Sequence, residues 1–317
     1  MMLSPDHFDY VPMPDRAPLK WPGGHRIAVI FTINCEFWPM TWDKKEPMYP
    51  GGPASIPHVL PGDVPDYANW TWREYGHRVG VWRLFEEFDR SGVPTACTIN
   101  ALTALERTPI VEAANERGWE IIAHNWSQTD IMSSYSGKPD EEREVIQRVV
   151  DAYESVLGRR PRGWLSSSLR STHETPHLLK ELGFDFMACY LNDDQPYMMR
   201  TRHGPLVQIP YSNDINDFAV FSRGAMAASG AFERFRDEFD ILYEESETSG
   251  RIMNIGLHPH VMGRGYAVKA LREFIAYVKD IDGVWFPKRE EISDWYAENH
   301  ASHIAPNDNL SENSGSD

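Results

Sequence analysis

The chain has 317 residues, 41% of them hydrophobic, and a formal net charge of −16. Acidity of this size repels nucleic acid and anionic membrane surfaces, and no cluster of Lys and Arg offsets it. No apolar run approaches the roughly 20 residues that cross a bilayer, and the opening MMLSPDHFDYVPMPDR has acids and prolines where a secretory signal is basic and then apolar, so a cytoplasmic protein acting on a small molecule is expected.

Residues 1–24 are proline-rich and aperiodic, and they read as an extended arm ending at the turn Trp21-Pro22-Gly23-Gly24. RIAVIFTIN, residues 26–34, is a continuous apolar run of strand length, the pattern of a parallel sheet buried on both faces. The stretch from Trp38 to Trp72 is dense in Pro, Gly and aromatics, among them Trp42, Tyr67 and Trp70. Ordered loops of that length are usually functional, so a lid or a subunit contact is expected there. From His77 an apolar stripe of Val79, Trp82, Leu84, Phe85 and Phe88 predicts a helix that Ser91-Gly92 ends.

Strand PTACTIN follows, and the alternation then repeats. Helix TPIVEAANERG leads to strand WEIIAHN, DEEREVIQRVVDAYESVLG to RGWLSSS, and THETPHLLKELG to FDFMACY. Later, AFERFRDEFDILYEES leads to IMNIGLH and VKALREFIAYVKD to GVWF. Such alternation predicts an α/β fold, a (β/α) barrel of about seven strands occupying residues 25–300 as one domain. Residues 301–317 are polar and aperiodic and read as a disordered tail. No G-x-G-x-x-G follows a strand and no P-loop is present, which disfavours nucleotide cofactors. Cys35, Cys97 and Cys189 are odd in number and lie in apolar runs, so buried thiols are expected rather than disulfides.

In β/α barrels, reacting groups sit where strands end. The first strand ends Asn34-Cys35-Glu36, and a later one ends His124-Asn125-Trp126-Ser127-Gln128. Others end at Ser166-Ser167-Ser168 before Arg170, at Asn192-Asp193-Asp194-Gln195, at Asn213-Asp214-Ile215-Asn216-Asp217, and at His258-Pro259-His260. Asn and Asp also serve turns, but histidines closing two strands point to acid–base or metal chemistry.

The order and spacing of INCEFW, REYG, WEIIAHNWSQ, GWLSSS, NDDQPY, IPYSNDIND and LHPHVMG resemble the polysaccharide deacetylase superfamily over about residues 20–300. The nearer resemblance is to its branch of cofactor-independent allantoinases and cyclic imide hydrolases. It implies a distorted (β/α) barrel. Deacetylase members hold a divalent metal, usually zinc, with one carboxylate and an H-x-x-x-H histidine pair, and use a second carboxylate as base. By that resemblance Glu36 falls at the metal carboxylate, Asn34 at the base, His124 at the first histidine, Gln128 at the second, and His258 at the general acid.

Asn34 cannot accept a proton near neutral pH, and a neutral Gln oxygen is a poor zinc ligand. Glu36 and His124 remain as ligands if a metal binds, with His260 a candidate third, but operation without a cofactor is the expectation. Glu36 is then the expected base and His258 the acid, with His124, Asn34 or Arg170 donating to the oxyanion. Asn192, Asp194 and Asn213 are expected to bind the N–H and C=O groups of a planar substrate, with His260 beside them. The expected function is hydrolysis of a non-peptide C–N bond in a small cyclic amide, imide or ureide. A metal-dependent glycan N-deacetylase and a catalytically inactive binding barrel are the alternatives. The arm and loop aromatics, and the oligomers formed by relatives in this branch, favour a homo-oligomer.

Overall fold

All nine side chains of Ile27–Cys35 are buried, and this strand, β1, is the spine of the sheet. In the computed structural model, which describes residues 7–40, 55–56, 60 and 64–304, β1 pairs in parallel with three other strands. After it come α1 (Tyr67–Tyr75), α2 (Val81–Ser91), β2 (Ala96–Ile99), α3 (Ala101–Glu106), α4 (Thr108–Glu116) and β3 (Glu120–Ala123). The middle of the chain holds α5 (Pro139–Leu157), β4 (Gly163–Trp164), α6 (Thr175–Glu181), β5 (Phe186–Met187), β6 (Tyr197–Met199) and β7 (Leu206–Gln208). Last are α7 (Ala228–Glu245), β8 (Arg251–Leu257), α8 (Val268–Val278), β9 (Val284–Trp285) and α9 (Arg289–Asn299).

The strands lie in the order β6-β7-β5-β4-β3-β2-β1-β8, with β9 also on β1. Every pairing is parallel except β6 with β7. The sheet curls into a barrel that strand pairing does not close among the described residues. Loop residues bridge the gap instead: Ile252 N donates to Asp194 O at 2.8 Å, and the Gln195 amide donates to Gly250 O at 2.8 Å. The expected α/β barrel is therefore present, with an antiparallel strand that the sequence reading omits. At three residues, β6 is too short to carry a periodic signal.

Helices cover the outer face as their patterns require. The apolar stripe of α2 buries Val81, Leu84, Phe85 and Phe88, and Gly92 ends it at φ +70°. The arm, where described, is extended apart from short 3₁₀ turns at Met13–Asp15 and Pro22–Gly24. It runs along the end of the sheet where strands begin, burying Leu19 and Trp21, with Gly250 N donating to Leu19 O at 2.9 Å. Cys35, Cys97 and Cys189 are buried thiols. No helix among the described residues is long and apolar enough to cross a membrane.

Three boundaries differ from expectation. Tyr67, Trp70 and Trp72 lie on α1 rather than in a loop, and the Asp66 side chain caps it by accepting Asn69 N at 3.0 Å. Helix begins there, runs through a π-helical turn at Gly76–Gly80 and continues as α2. Trp42 and much of the anticipated lid lie outside the described residues. The run RGWLSSS keeps only two strand residues, Gly163 and Trp164, and enters a 3₁₀ turn at Ser167–Leu169, where Ser168 and Leu169 take φ of +54° and +58°. Residues 301–304 form a turn in which buried His303 meets Tyr296 Oη at 2.9 Å, and the rest of the anticipated tail lies outside the described residues.

Candidate active site

The ends of β1, β3, β4 and β8 open onto one cleft of about 510 Å³. Its walls include Asn34, Glu36, His124, Gln128, Arg170, Asn213 and His258 from the expected set. Glu36 and His258 each follow the last residue of their strand, β1 or β8, and His124 follows β3, so parallel pairing brings all three to the same end of the barrel.

Both ring nitrogens of His258 face carboxylates. Nδ1 donates to Asp217 Oδ1 at 2.7 Å, and Nε2 lies 3.3 Å from Glu36 Oε1. Burial opposes charge on this ring, but Glu36 and Asp217 outweigh it and push His258 up to about 10. Burial likewise opposes charge on Glu36; the His258 cation and its hydrogen bond prevail and hold the carboxyl well below its ordinary range. At neutral pH the pair is an imidazolium and a carboxylate.

His124 is arranged in the opposite sense. A carbonyl only accepts, so the 2.6 Å contact of His124 Nδ1 with Leu165 O places a proton on Nδ1. In the neutral ring Nε2 is then a bare lone pair; it is buried and unpartnered, 3.9 Å from Glu36 Oε1. One water donating to both acceptors spans that separation with ordinary hydrogen bonds of about 2.8 Å. In that tautomer the neutral ring has no proton on Nε2 to give to an oxyanion, the role expected for it from sequence.

A better donor lies beside Asn34. Thr98 Oγ1 donates to Asn34 Oδ1 at 2.5 Å, and Asn34 Nδ2 donates to Tyr211 Oη at 3.1 Å. Asn216 accepts Phe218 N through Oδ1 at 2.9 Å, which turns its Nδ2 to donate to the same hydroxyl at 3.2 Å. Two amides thus occupy the acceptor capacity of Tyr211 and leave its own O–H to donate elsewhere. Gly256 makes room for it, since a Cβ there would come within 2.1 Å of Tyr211 Oη. Burial pushes the Tyr211 phenol up to about 12, so it keeps its proton.

Three expected residues lie apart from this cleft. Asn192 Oδ1 accepts the Tyr197 hydroxyl at 2.9 Å beside a separate pocket under the arm. Asp194 lines a groove with Glu238 and Asn254, because its backbone bridges to the start of β8. His260 is buried edge-on to Trp72 with ring centroids 4.6 Å apart, so it is not positioned as a third ligand or a substrate contact. His260 lies away from the cleft, its backbone and Cβ against Gly76 of the π-helical turn, while Pro259 between the two histidines packs against Gly80.

Sequence reasoning passed over Asp217, Tyr211, Phe218 and Arg223. All four follow β7 within sixteen residues, and Phe218 and Arg223 bound a π-helical turn. The sequence signal for them is the Asn213–Asp217 cluster, in which a pattern of turn residues does not distinguish Asp217 from Asn213. Backbone strain gathers at the same place. The non-glycine residues at positive φ among those described are Asn125, Ser168, Leu169 and Ala225, each lining the cleft or within two residues of a side chain that does.

The residues present do not fit a zinc centre. Glu36 Oε1 is already shared with the His258 cation, leaving His124 Nε2 and the buried, unpartnered Gln128 Oε1. Zinc sites draw at least three ligands from imidazole, thiolate and carboxylate, whereas an amide oxygen is weak and the adjacent imidazolium repels a dication. Among the described residues, the one cluster of three such groups is His7, His173 and His177, away from this cleft.

No protein-family model matches the chain. A curated protein of Schizosaccharomyces pombe described as a putative polysaccharide deacetylase is 29% identical over 307 residues, covering 88% of this chain and 93% of that one. The solved structure of Puue allantoinase is 29% identical with a TM-score of 0.80, covering 92% of this chain and 95% of its own. That of a probable polysaccharide deacetylase from Pseudomonas aeruginosa PAO1 is 30% identical with a TM-score of 0.78, over 92% and 95% of the two chains. With sequence and fold shared along nearly their whole length, the chain belongs to the polysaccharide deacetylase superfamily.

Proposed function

We propose that this protein hydrolyses a non-peptide C–N bond in a small cyclic amide, imide or ureide without a metal. The observation that carries this reading is the placement of two imidazoles on one buried carboxylate: His258, whose two ring nitrogens both face carboxylates, and His124, whose Nδ1 faces Leu165 O and whose Nε2 has no partner. His258 is thereby suited to give a proton and His124 Nε2 to take one. The likeness to an allantoinase structure over 92% of the chain supports the substrate class. A cleft of about 510 Å³ suits a small ring.

In the reaction, a water between Glu36 and His124 loses a proton to His124 Nε2 as its oxygen attacks the ring carbonyl. Tyr211 donates its O–H to the developing oxyanion, a role in which fixed donors contribute more than side chains that must reorganise. The C–N bond then breaks, and the departing nitrogen takes the proton of His258 Nε2. Glu36, next to both rings, passes the proton held by His124 back to His258, so the site resets and the ring has gained one water. Relative to the sequence-based expectation, His124 replaces Glu36 as base. A carboxylate held so far below its ordinary range by His258 is a weak base, and its work is to hold the cation and aim the water.

The test is chelator-treated protein incubated with hydantoin, allantoin, succinimide and a small lactam, with ring opening followed by proton NMR. Opening of at least one ring, reduced more than about a hundredfold in His258→Ala, is expected. Inert rings together with zinc-dependent acetate release from an N-acetylated glycan would overturn the proposal.

A further inference from the structure

The chain carries 47 acidic residues against 31 basic ones, yet two arginines at the mouth of the cleft have no acid partner among the described residues. Among the described residues, Arg78, Arg170, Arg223 and Arg234 are the arginines whose guanidinium makes neither hydrogen bond nor ion pair. Two of these, Arg170 and Arg223, line this one cleft. Both are exposed, whereas Glu36, His124 and His258 are buried at its floor. The floor is therefore built for proton transfer, and the mouth presents unspent positive charge.

The backbone beneath both arginines is held in costly conformations. Ser168 and Leu169, at φ +54° and +58°, immediately precede Arg170. Ala225, at φ +48°, lies two residues past Arg223, which itself ends the π-helical turn Phe218–Arg223. Left-handed non-glycine residues and π-helical turns persist where the surrounding fold over-determines them, and they gather at ligand sites. Two separate loops, after β4 and after β7, thus converge on the same cleft.

We propose that Arg170 and Arg223 form an anion subsite, and that the natural substrate carries a carboxylate on a substituent of its ring. This rests on the C–N hydrolase reading above and narrows it. A guanidinium pairs with a carboxylate through two parallel N–H···O bonds, a geometry that neutral groups do not match. The carboxylate that ring opening creates forms at the floor, beside His124 and Glu36. The charge met at the exposed mouth is one that the substrate brings in. The long-range field of a chain with net charge −16 disfavours anions, so local cations are needed to admit one.

The experiment compares hydantoin-5-acetate with hydantoin-5-acetamide, which have the same ring and nearly the same shape but differ in charge. Values of kcat/KM and calorimetric affinities are measured for the wild type and for the Arg170→Gln/Arg223→Gln double variant. In the wild type, a preference of about tenfold or more for the carboxylate is expected, the usual size of a charge-assisted hydrogen bond. In the double variant the ratio should fall to near unity. Equal values for the two compounds in the wild type, or a preference surviving in the double variant, would overturn the subsite. If neither ring opens, the hydrolase reading fails, and the calorimetric ratio still decides the subsite.

Discussion

The carboxylate of Asp217 accepts three N–H groups, from the His258 ring at 2.7 Å, the His258 backbone at 2.6 Å and the Met262 backbone at 3.1 Å. It orients the imidazole, fixes its charge and anchors the loop that carries it. Replacing it by asparagine turns an acceptor of three donors into a partial donor. Asp217→Asn should lower kcat by about a hundredfold or more, within the range for losing a general acid, while a carboxamide leaves the site similarly filled. Activity retained within a factor of about three would remove His258 from the acid role.

The pH dependence follows from the same contacts. His258 must be protonated to act, and with Glu36 and Asp217 beside it the ring is pushed up to about 10, so the alkaline limb of kcat/KM should lie near that pH. Glu36→Gln removes one supporting charge and should move this limb to lower pH. For stability, a raised folded pKa contributes fully below the unfolded value of about 6.5, and the contribution is lost as pH rises through the folded value of about 10. The lowered Glu36 acts in the other direction, stabilising above the ordinary carboxylate range and ceasing to do so in strong acid. Urea midpoints measured against pH, compared with those of His258→Ala, check both signs.

Tyr211→Phe separates positioning from chemistry. It removes the one hydroxyl proton left over after Asn34 and Asn216 have donated to the oxygen. The expected result is a fall in kcat of about a hundredfold with KM little changed, as for other single oxyanion donors. The two buried amide donors left behind should also cost about 1–3 kcal/mol of stability. A change confined to KM would show that the hydroxyl only shapes the pocket.

Gly80 and Gly263 allow the His258 loop to sit where it does. A Cβ on Gly80 would lie 1.9 Å from Pro259 O, and one on Gly263 would lie 2.4 Å from Gly80 Cα. These neighbours are backbone, so neither side can yield cheaply. Gly80→Ala should destabilise the fold by about 2 kcal/mol or more in denaturant unfolding and should lower activity by displacing His258. Wild-type stability in this variant would show that the π-helical turn moves independently of the loop.

Metal analysis tests the donor set directly. Dialysed wild-type protein should retain well under one equivalent of zinc and keep its ring-opening activity in chelator. Gln128→His restores an imidazole at the position four residues after His124 and should raise zinc retention. A full equivalent of zinc held by the wild type through dialysis would contradict the metal-free reading.

The sequence by itself determined the barrel, its strand ends and the pair Glu36 and His124, because parallel strands buried on both faces leave continuous apolar runs whose last residues are polar by contrast. The same pattern placed His258 at the end of its strand, and the resemblance of ordered motifs suggested its role as the acid. Short elements escaped that reading: β6 has three residues and α1 carries aromatics on a surface that breaks the simple pattern. Direction and pairing escaped it as well. Only the tertiary structure decided that Asp217 rather than Asn213 meets His258, 41 residues away, and that His260 lies out of the cleft. Only Leu165 O, across the sheet, decided which nitrogen of His124 carries the proton. A strand's last polar residue can be read from a local pattern, but the partner that sets its charge is chosen by the fold and leaves no local trace.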